Sequence, residues 1–416
     1  MPVHGVIPRQ LSNMLLHTCA AVCAVILLMA PAAEASSAKI LHRFRPQEGA
    51  YPWGTLVFDN AGNLYGTTQF GGKLRCQPLG RPGCGVVFEL SPEADGTWKQ
   101  QVIYKFPGGA NGFLPYAGVI FDGAGNLYGT TDDGGTGWGV VYELSPSVGR
   151  WTETVLHTFR AGPDDGAYPS PVVFDKNGNL YGTTYVGTTP CWGTVFQLSP
   201  NALGGWTENV LHCFSNSSSD GQYPSAPVLF DEARNLYSTT YEGGANGGGI
   251  AFELSPSGGT WTEDILYNFG NGTQVYPWAP LISDKNGNLY GLTYGGVYEL
   301  TSSGSGWTYS AIYTSPHNPH AISPNSLIID DAGNLYGTAN GGSGSNCRGS
   351  GCGAVFKLAH GENGWQMTVL HNFPGGAGGS YPYGGLVMDK NGNLFGTTYY
   401  GGRKGCDCGL VFEITP

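Results

Sequence analysis

Apolar residues fall in short runs along the chain, separated by Gly, Pro, Asn and Asp. Between Val119 and Phe159 the runs are Val119-Ile120-Phe121, Asn126 to Thr131, Val140-Val141-Tyr142-Glu143-Leu144 and Trp151 to Phe159. Runs this short, rich in β-branched and aromatic residues and bounded by turn formers, predict strands. The same group of four runs is written seven times. GNLYGTT or a close variant begins at Gly62, Gly125, Gly178, Arg234, Gly287, Gly333 and Gly392. Each copy follows an Asp three residues earlier: Asp59, Asp122, Asp175, Asp231, Asp284, Asp330 and Asp389. Spacings of 46 to 63 residues belong to repeat architectures and not to separate domains. Asp-x-x-Gly-Asn fits a tight hairpin, with Asp capping backbone N–H groups and Gly at positive φ. Four meandering strands per unit make a propeller blade.

The chain ends bear on whether the array is closed. A Trp opens the fourth strand of six units, at Trp98, Trp151, Trp206, Trp261, Trp307 and Trp365. The seventh unit reaches Pro416 after its third strand. The segment Lys39-Ile40-Leu41-His42-Arg43-Phe44 matches the fourth-strand endings Val155 to Phe159 and Val369 to Phe373. It therefore predicts an all-β, seven-bladed propeller of four-stranded antiparallel blades, with strand 39–44 completing the last blade and removing open edges.

A length of 416 residues alone suggests two or three domains, but the repeat makes 36–416 a single one. With 69 Gly, 24 Tyr, 10 Trp and 12% charged residues, the chain is too aromatic for disorder and too Gly-rich for a helical protein. Net charge is −11 without a basic run, which argues against nucleic acid as a partner. Residues 1–35 read as a signal peptide. Arg9 precedes an apolar run from Leu15 to Ala30, and Ala33-Glu34-Ala35 supplies the cleavage pattern. That run is shorter than the roughly twenty residues of a membrane span. The expected product is secreted, to the medium or the periplasm, monomeric and free of the membrane.

The repeated D-x-x-G-N-L-Y-G-T-T, the following G-x-V-F-E-L-S-P and the W…LHxF strand resemble the GloVer-type extracellular tandem repeat of choice-of-anchor proteins. The resemblance covers residues 39–416. It implies export and a repeat fold and transfers no catalytic residues. Surface attachment through an anchor tail of the kind many members carry is not expected. A looser, fold-level likeness runs to NHL-type and streptogramin-lyase-type propellers.

Ten cysteines are present, of which Cys19 and Cys23 fall in the leader. Export favours pairing of the rest. Cys76 with Cys84, and Cys347 with Cys352, each flank a loop between second and third strands. Cys191 and Cys213 meet across adjoining strands, leaving Cys406 and Cys408, for which an i,i+2 bridge is strained. The pairs lie on different blades, so staples are expected and a zinc site is not.

His42, His157, His212 and His371 share one repeat position, filled by Tyr104, Tyr267 and Tyr313 elsewhere. Spread around the circumference, they are expected to pack and to bond at strand edges, not to converge on a metal. The hairpin Asp residues lack the clustered spacing of calcium loops, so turn capping is expected. No G-x-S-x-G, H-E-x-x-H or phosphate loop occurs, and no cofactor is implied.

Strand alternation puts two loop classes on one face, those between second and third strands and those between blades. The first class runs from two residues, Tyr294-Gly295, to sixteen, Gln69 to Cys84. Variable loops on a rigid scaffold commonly carry binding. The blade-to-blade loops end in Tyr-Pro or a variant. The Tyr before each Pro is expected to pack between blades. Trp53, Tyr116, Trp278 and Tyr383 follow the Pro, and both packing and binding are open to them. Asp132, Asp133, Asp165, Asp220 and Glu242 are acids where most sister blades are neutral, and no histidine is expected beside them. The leading reading is a binding or scaffold module for a glycan, cell-envelope component or protein, using Trp53, Tyr116, Trp278, Tyr383, Asp132, Asp133 and Glu242. The alternative is a lyase, lactonase or glycosidase with carboxylates at the channel mouth.

Overall fold

The computed structural model describes residues 37–416, apart from 73–75, 77–82, 163, 216, 218, 271–274, 305, 316–322, 343–346 and 348–350. The signal peptide expected at 1–35 lies outside the described residues. Seven antiparallel sheets succeed one another along the chain as the blades of a propeller. In blade 2 the strands are Ile120–Phe121, Leu127–Thr131, Val140–Ser147 and Arg150–Thr158, and the other blades repeat that order. In blades 3, 4 and 6 the short segments Ala167–Pro169, Gly221–Pro224 and Ser323–Pro324 also pair with the second strand.

The last blade is assembled from both ends of the chain. Ser37–Arg43 pairs antiparallel with Leu410–Thr415, with Ser37 opposite Thr415 and Arg43 opposite Leu410. The ladder starts two residues before the expected 39–44 and stops short of Phe44, which turns inward and is fully buried. Lys39 Nζ also donates to the Gly96 carbonyl of blade 1, 2.8 Å away.

The core is divided among the blade junctions. Each of seven buried clusters draws its residues mainly from two consecutive blades. A wedge recurs in six of them. Phe44, Phe106, Phe159, Phe214, Phe269 and Phe373, at the end of each fourth strand, set an edge against Phe88, Tyr142, Phe196, Phe252, Tyr298 and Phe412 of the next blade. Ring centroids are 5.0–5.2 Å apart, the spacing that aromatic edges and faces prefer. After blade 5 the position is Ser315. The Gly of LYGTT makes room for the receiving ring, since a Cβ on Gly66 would lie 2.7 Å from Phe88.

Every pairing of third and fourth strands carries a bulge. The extra residue is Leu41, Ile103, Leu156, Leu211, Leu266, Ile312 or Leu370. A bulge re-aims the side chains beside it, and the residue that follows is the His or Tyr of the repeat. The residue before six of the seven inter-blade prolines is also unusual. Tyr51, Leu114, Tyr168, Tyr223, Tyr276 and Tyr381 have φ of 55–61°, a left-handed conformation costly before Pro. Their N–H groups donate to Cys408, Cys84, Trp138, Trp192, Gly248 and Cys352, loop residues of the preceding blade. Each of these five Tyr-Pro steps and the one Leu-Pro step thus ties two blades together.

Disulfides join Cys76–Cys84, Cys191–Cys213, Cys347–Cys352 and Cys406–Cys408. No helix among the described residues is long and apolar enough to cross a membrane.

Candidate functional site

The hairpin face offers little free chemistry. In blade 2, Asp122 Oδ1 accepts from the N–H groups of Ala124 and Asn126, each at 2.8 Å. Its Oδ2 accepts from Asn126 Nδ2 at 2.8 Å and Tyr128 Oη at 3.2 Å. The same Oδ1 and Oδ2 bonds from the repeat Asn recur at all seven hairpins, so these carboxylates cap turns.

On the loop face, part of the aromatic set is brought together where blades 7, 1 and 2 meet. Trp53 stacks on Tyr383, with centroids 4.3 Å apart and planes at 17°, and lies 4.5 Å from Tyr116 at 40°. Tyr399 meets Trp53 edge-on at 5.3 Å and donates to Gln69 Oε1 at 3.1 Å. Tyr116 is 42% exposed and is the member of the group most open to a ligand. Beside it, Gln69, Phe70, Leu114, Tyr116, Asp132, Asp133 and Tyr399 line a pocket of about 310 Å³. Burial, reinforced by the adjacent Asp133 charge, pushes the Asp132 carboxyl up to about 6, and burial also raises Asp133.

Trp278 and Glu242 sit apart from this group. Trp278 packs against the blade 5–6 core with Ala279 and Leu327. Glu242 belongs to a second aromatic patch, where Tyr185 meets Tyr223 at 5.3 Å and Tyr241 stacks on Tyr276 at 5.0 Å. Burial, with the Glu242 charge behind it, raises the Tyr223 hydroxyl.

At the outer rim the expectation of acids without a histidine is corrected. His157 Nε2 lies 3.0 Å from Asp165 Oδ1 and 3.3 Å from Glu208 Oε2 of the next blade. His212 Nε2 lies 3.6 Å from Asp220 Oδ1 and 3.8 Å from Glu263 Oε2. The histidines do stay apart from one another, but each meets two carboxylates across a junction. The bulge explains it by turning the His toward the neighbouring blade, where the residue two past the opening Trp receives it. That receiver is Glu153, Glu208 or Glu263 in blades 2, 3 and 4, and sequence reasoning missed it. Burial, then the neighbouring Asp165, pushes the Glu208 carboxyl up to about 7, while the His157 charge pulls against them. The other junctions vary the theme. Tyr104 and Asn111 both donate to Glu153 Oε2, His42 faces Glu48 at 3.3 Å, and Tyr267 stacks on Tyr309 at 4.6 Å.

Fold and site define a seven-bladed propeller whose one loop-rich face is lined with aromatic rings. Within it, residues 136–298 match the model of the Gloeobacter/Verrucomicrobia repeat, the family resembled by the sequence motifs. No curated protein matches the chain. Among solved structures, PorZ of Porphyromonas gingivalis, a surface component of the type-IX secretion system, matches with TM-score 0.53 at 14% identity. That match takes in 90% of this chain but 47% of PorZ, so the chain spans about half of that protein. A gluconolactonase from Xanthomonas campestris matches with TM-score 0.42 at 14% identity, over 75% of this chain and 90% of its own. A Dyadobacter fermentans protein of unknown function gives 0.45 at 10%, over 92% and 98%. Identities this low speak to the fold alone.

Proposed function

We propose that the protein is a secreted binding or scaffold module whose loop face holds a neutral or weakly polar polymer, most suitably a glycan. The observation that carries this reading is the clustering of Trp53, Tyr116, Tyr383 and Tyr399 beside the Asp132–Asp133 pocket. Flat amphipathic rings stack on sugar faces while acids and amides accept from hydroxyls. The acids repel polyanions, which is consistent with a net charge of −11. Four disulfides suit an oxidising exterior.

Trp53 has two rings at stacking distance, so its task is to hold Tyr116 and Tyr383 in place, and the contact surface falls to Tyr116. Glycan-array binding tests this division. Tyr116→Ala should lower the signal at least tenfold with stability changed by no more than about 0.5–1 kcal/mol, as for an exposed side chain. Trp278→Ala should do the reverse, costing about 2–4 kcal/mol from the core while leaving binding intact. Array binding insensitive to Tyr116→Ala would remove this rim from the site.

A further inference from the structure

We infer that the outer junctions of blades 2–3 and 3–4 are two equivalent sites for a zinc-class dication, formed by His157, Asp165 and Glu208 and by His212, Asp220 and Glu263. In each triad the three donor atoms lie within 4.8 Å of one another. A tetrahedral ion with bonds of about 2.0–2.1 Å to nitrogen and oxygen spaces its ligands roughly 3.3 Å apart. The His-to-carboxylate separations are 3.0 and 3.3 Å in one triad and 3.6 and 3.8 Å in the other. They bracket that edge, so either triad can close on one ion with small side-chain adjustment.

The carboxylate donors are also held in place. Asp165 is anchored through Oδ2, which accepts from the Arg160 N–H at 2.9 Å. Asp220 is anchored by the Ser215 N–H on Oδ2 at 2.6 Å, and its Oδ1 accepts from the Gly221 N–H at 2.7 Å. Ligands fixed by outer partners in this manner are typical of metal sites. Glu208 Oε1, Glu263 Oε1 and His212 Nε2 are buried without a hydrogen-bond partner, as is Glu153 Oε1 at the junction that lacks the His and the Asp. A buried polar atom left unmatched is costly, and two carboxylates facing one imidazole carry more negative than positive charge. A dication set between the imidazole and the facing carboxylate oxygens answers the charge and gives His212 Nε2 a partner. One imidazole with two carboxylates suits zinc and its first-row neighbours, whereas calcium and magnesium take oxygen donors alone. Side-chain exposures of 11–20% leave a way in from solvent.

The repeat supplies its own controls. At the blade 1–2 junction Tyr104 and Asn111 stand where the sites have His and Asp, and at the 7–1 junction Gln100 replaces the receiving Glu. Each substitution removes a ligand. With donors from two blades, a bound ion clips neighbouring blades together at the outer rim.

The test uses the exported chain without an affinity tag, stripped with chelator and titrated calorimetrically with Zn²⁺ alone. The expected result is two equivalents bound and an upward shift in melting temperature on loading, by ordinary ligand linkage. His157→Gln should lose one equivalent, and His157→Gln with His212→Gln should lose both together with the thermal shift. In chelator these variants should melt with the parent, which separates lost ligation from lost folding. If they do not, Glu208→Gln and Glu263→Gln, which keep side-chain volume, are titrated for the same losses. A parent that takes up no Zn²⁺, or variants that keep its stoichiometry, would overturn the inference.

Discussion

One carboxylate organises each hairpin, and the price of losing it can be set out from its bonds. Asp122 accepts from two backbone N–H groups, an amide and a phenol. Bonds to a charged acceptor contribute more than neutral ones, so Asp122→Ala should cost about 2 kcal/mol, read from the midpoint of denaturant unfolding. Asp132 works in the opposite sense. Its folded pKa of about 6 lies above the ordinary carboxylate value. The stability it allows is therefore complete below that ordinary value and is lost as pH rises through about 6. Asp132→Asn should melt with the parent near pH 4 and above it near pH 8, with the difference growing across pH 4–7. A gap that shrinks with rising pH would contradict the burial assigned to this carboxyl.

At the scale of elements, the fourth strand does most of the joining. Its bulge aims a His or Tyr at the next blade, and its closing Phe enters that blade's core. The Trp-to-Phe motif was visible in the amino-acid pattern, and so was the match between Lys39–Phe44 and the other fourth strands. Blade count, strand order and closure follow from such repetition, because identical runs must form identical strands. The partners of the His did not, because a bulge leaves no mark on an alternation pattern and Glu208 looks like any exposed strand residue. Gathering of Trp53, Tyr116 and Tyr383 on blades 1, 2 and 7 was equally hidden, since ring adjacency between distant repeats depends on closure. Trp278 shares their motif position but has Ala279 and Leu327 to pack on.

Removing residues 37–44 tests the closing strand directly. It takes out Leu41 and Phe44, buried in the junction of blades 7 and 1, and Ile40 beside the blade 6–7 core. Each should contribute about 1.5–3 kcal/mol, so the sum rivals the 5–15 kcal/mol or so typical of a whole domain. The truncated chain should aggregate and melt well below the parent. An unchanged thermal melt would show that six complete blades and three strands suffice.

For the whole molecule, the split last blade also sets an order in time. Ser37 finds its partner in Thr415, so the first strand of the propeller to be synthesised is bonded by the last. Blades 1 to 6 are each contiguous and can form as their own residues emerge. The ring itself must wait, and until then its two terminal edges stay open to strands of other chains. Contacts so distant in sequence form slowly because loop closure precedes any gain. A chain stalled before Leu410 is thus left with a recruiting edge, and the arrival of Leu410–Thr415 is checked by the fold itself.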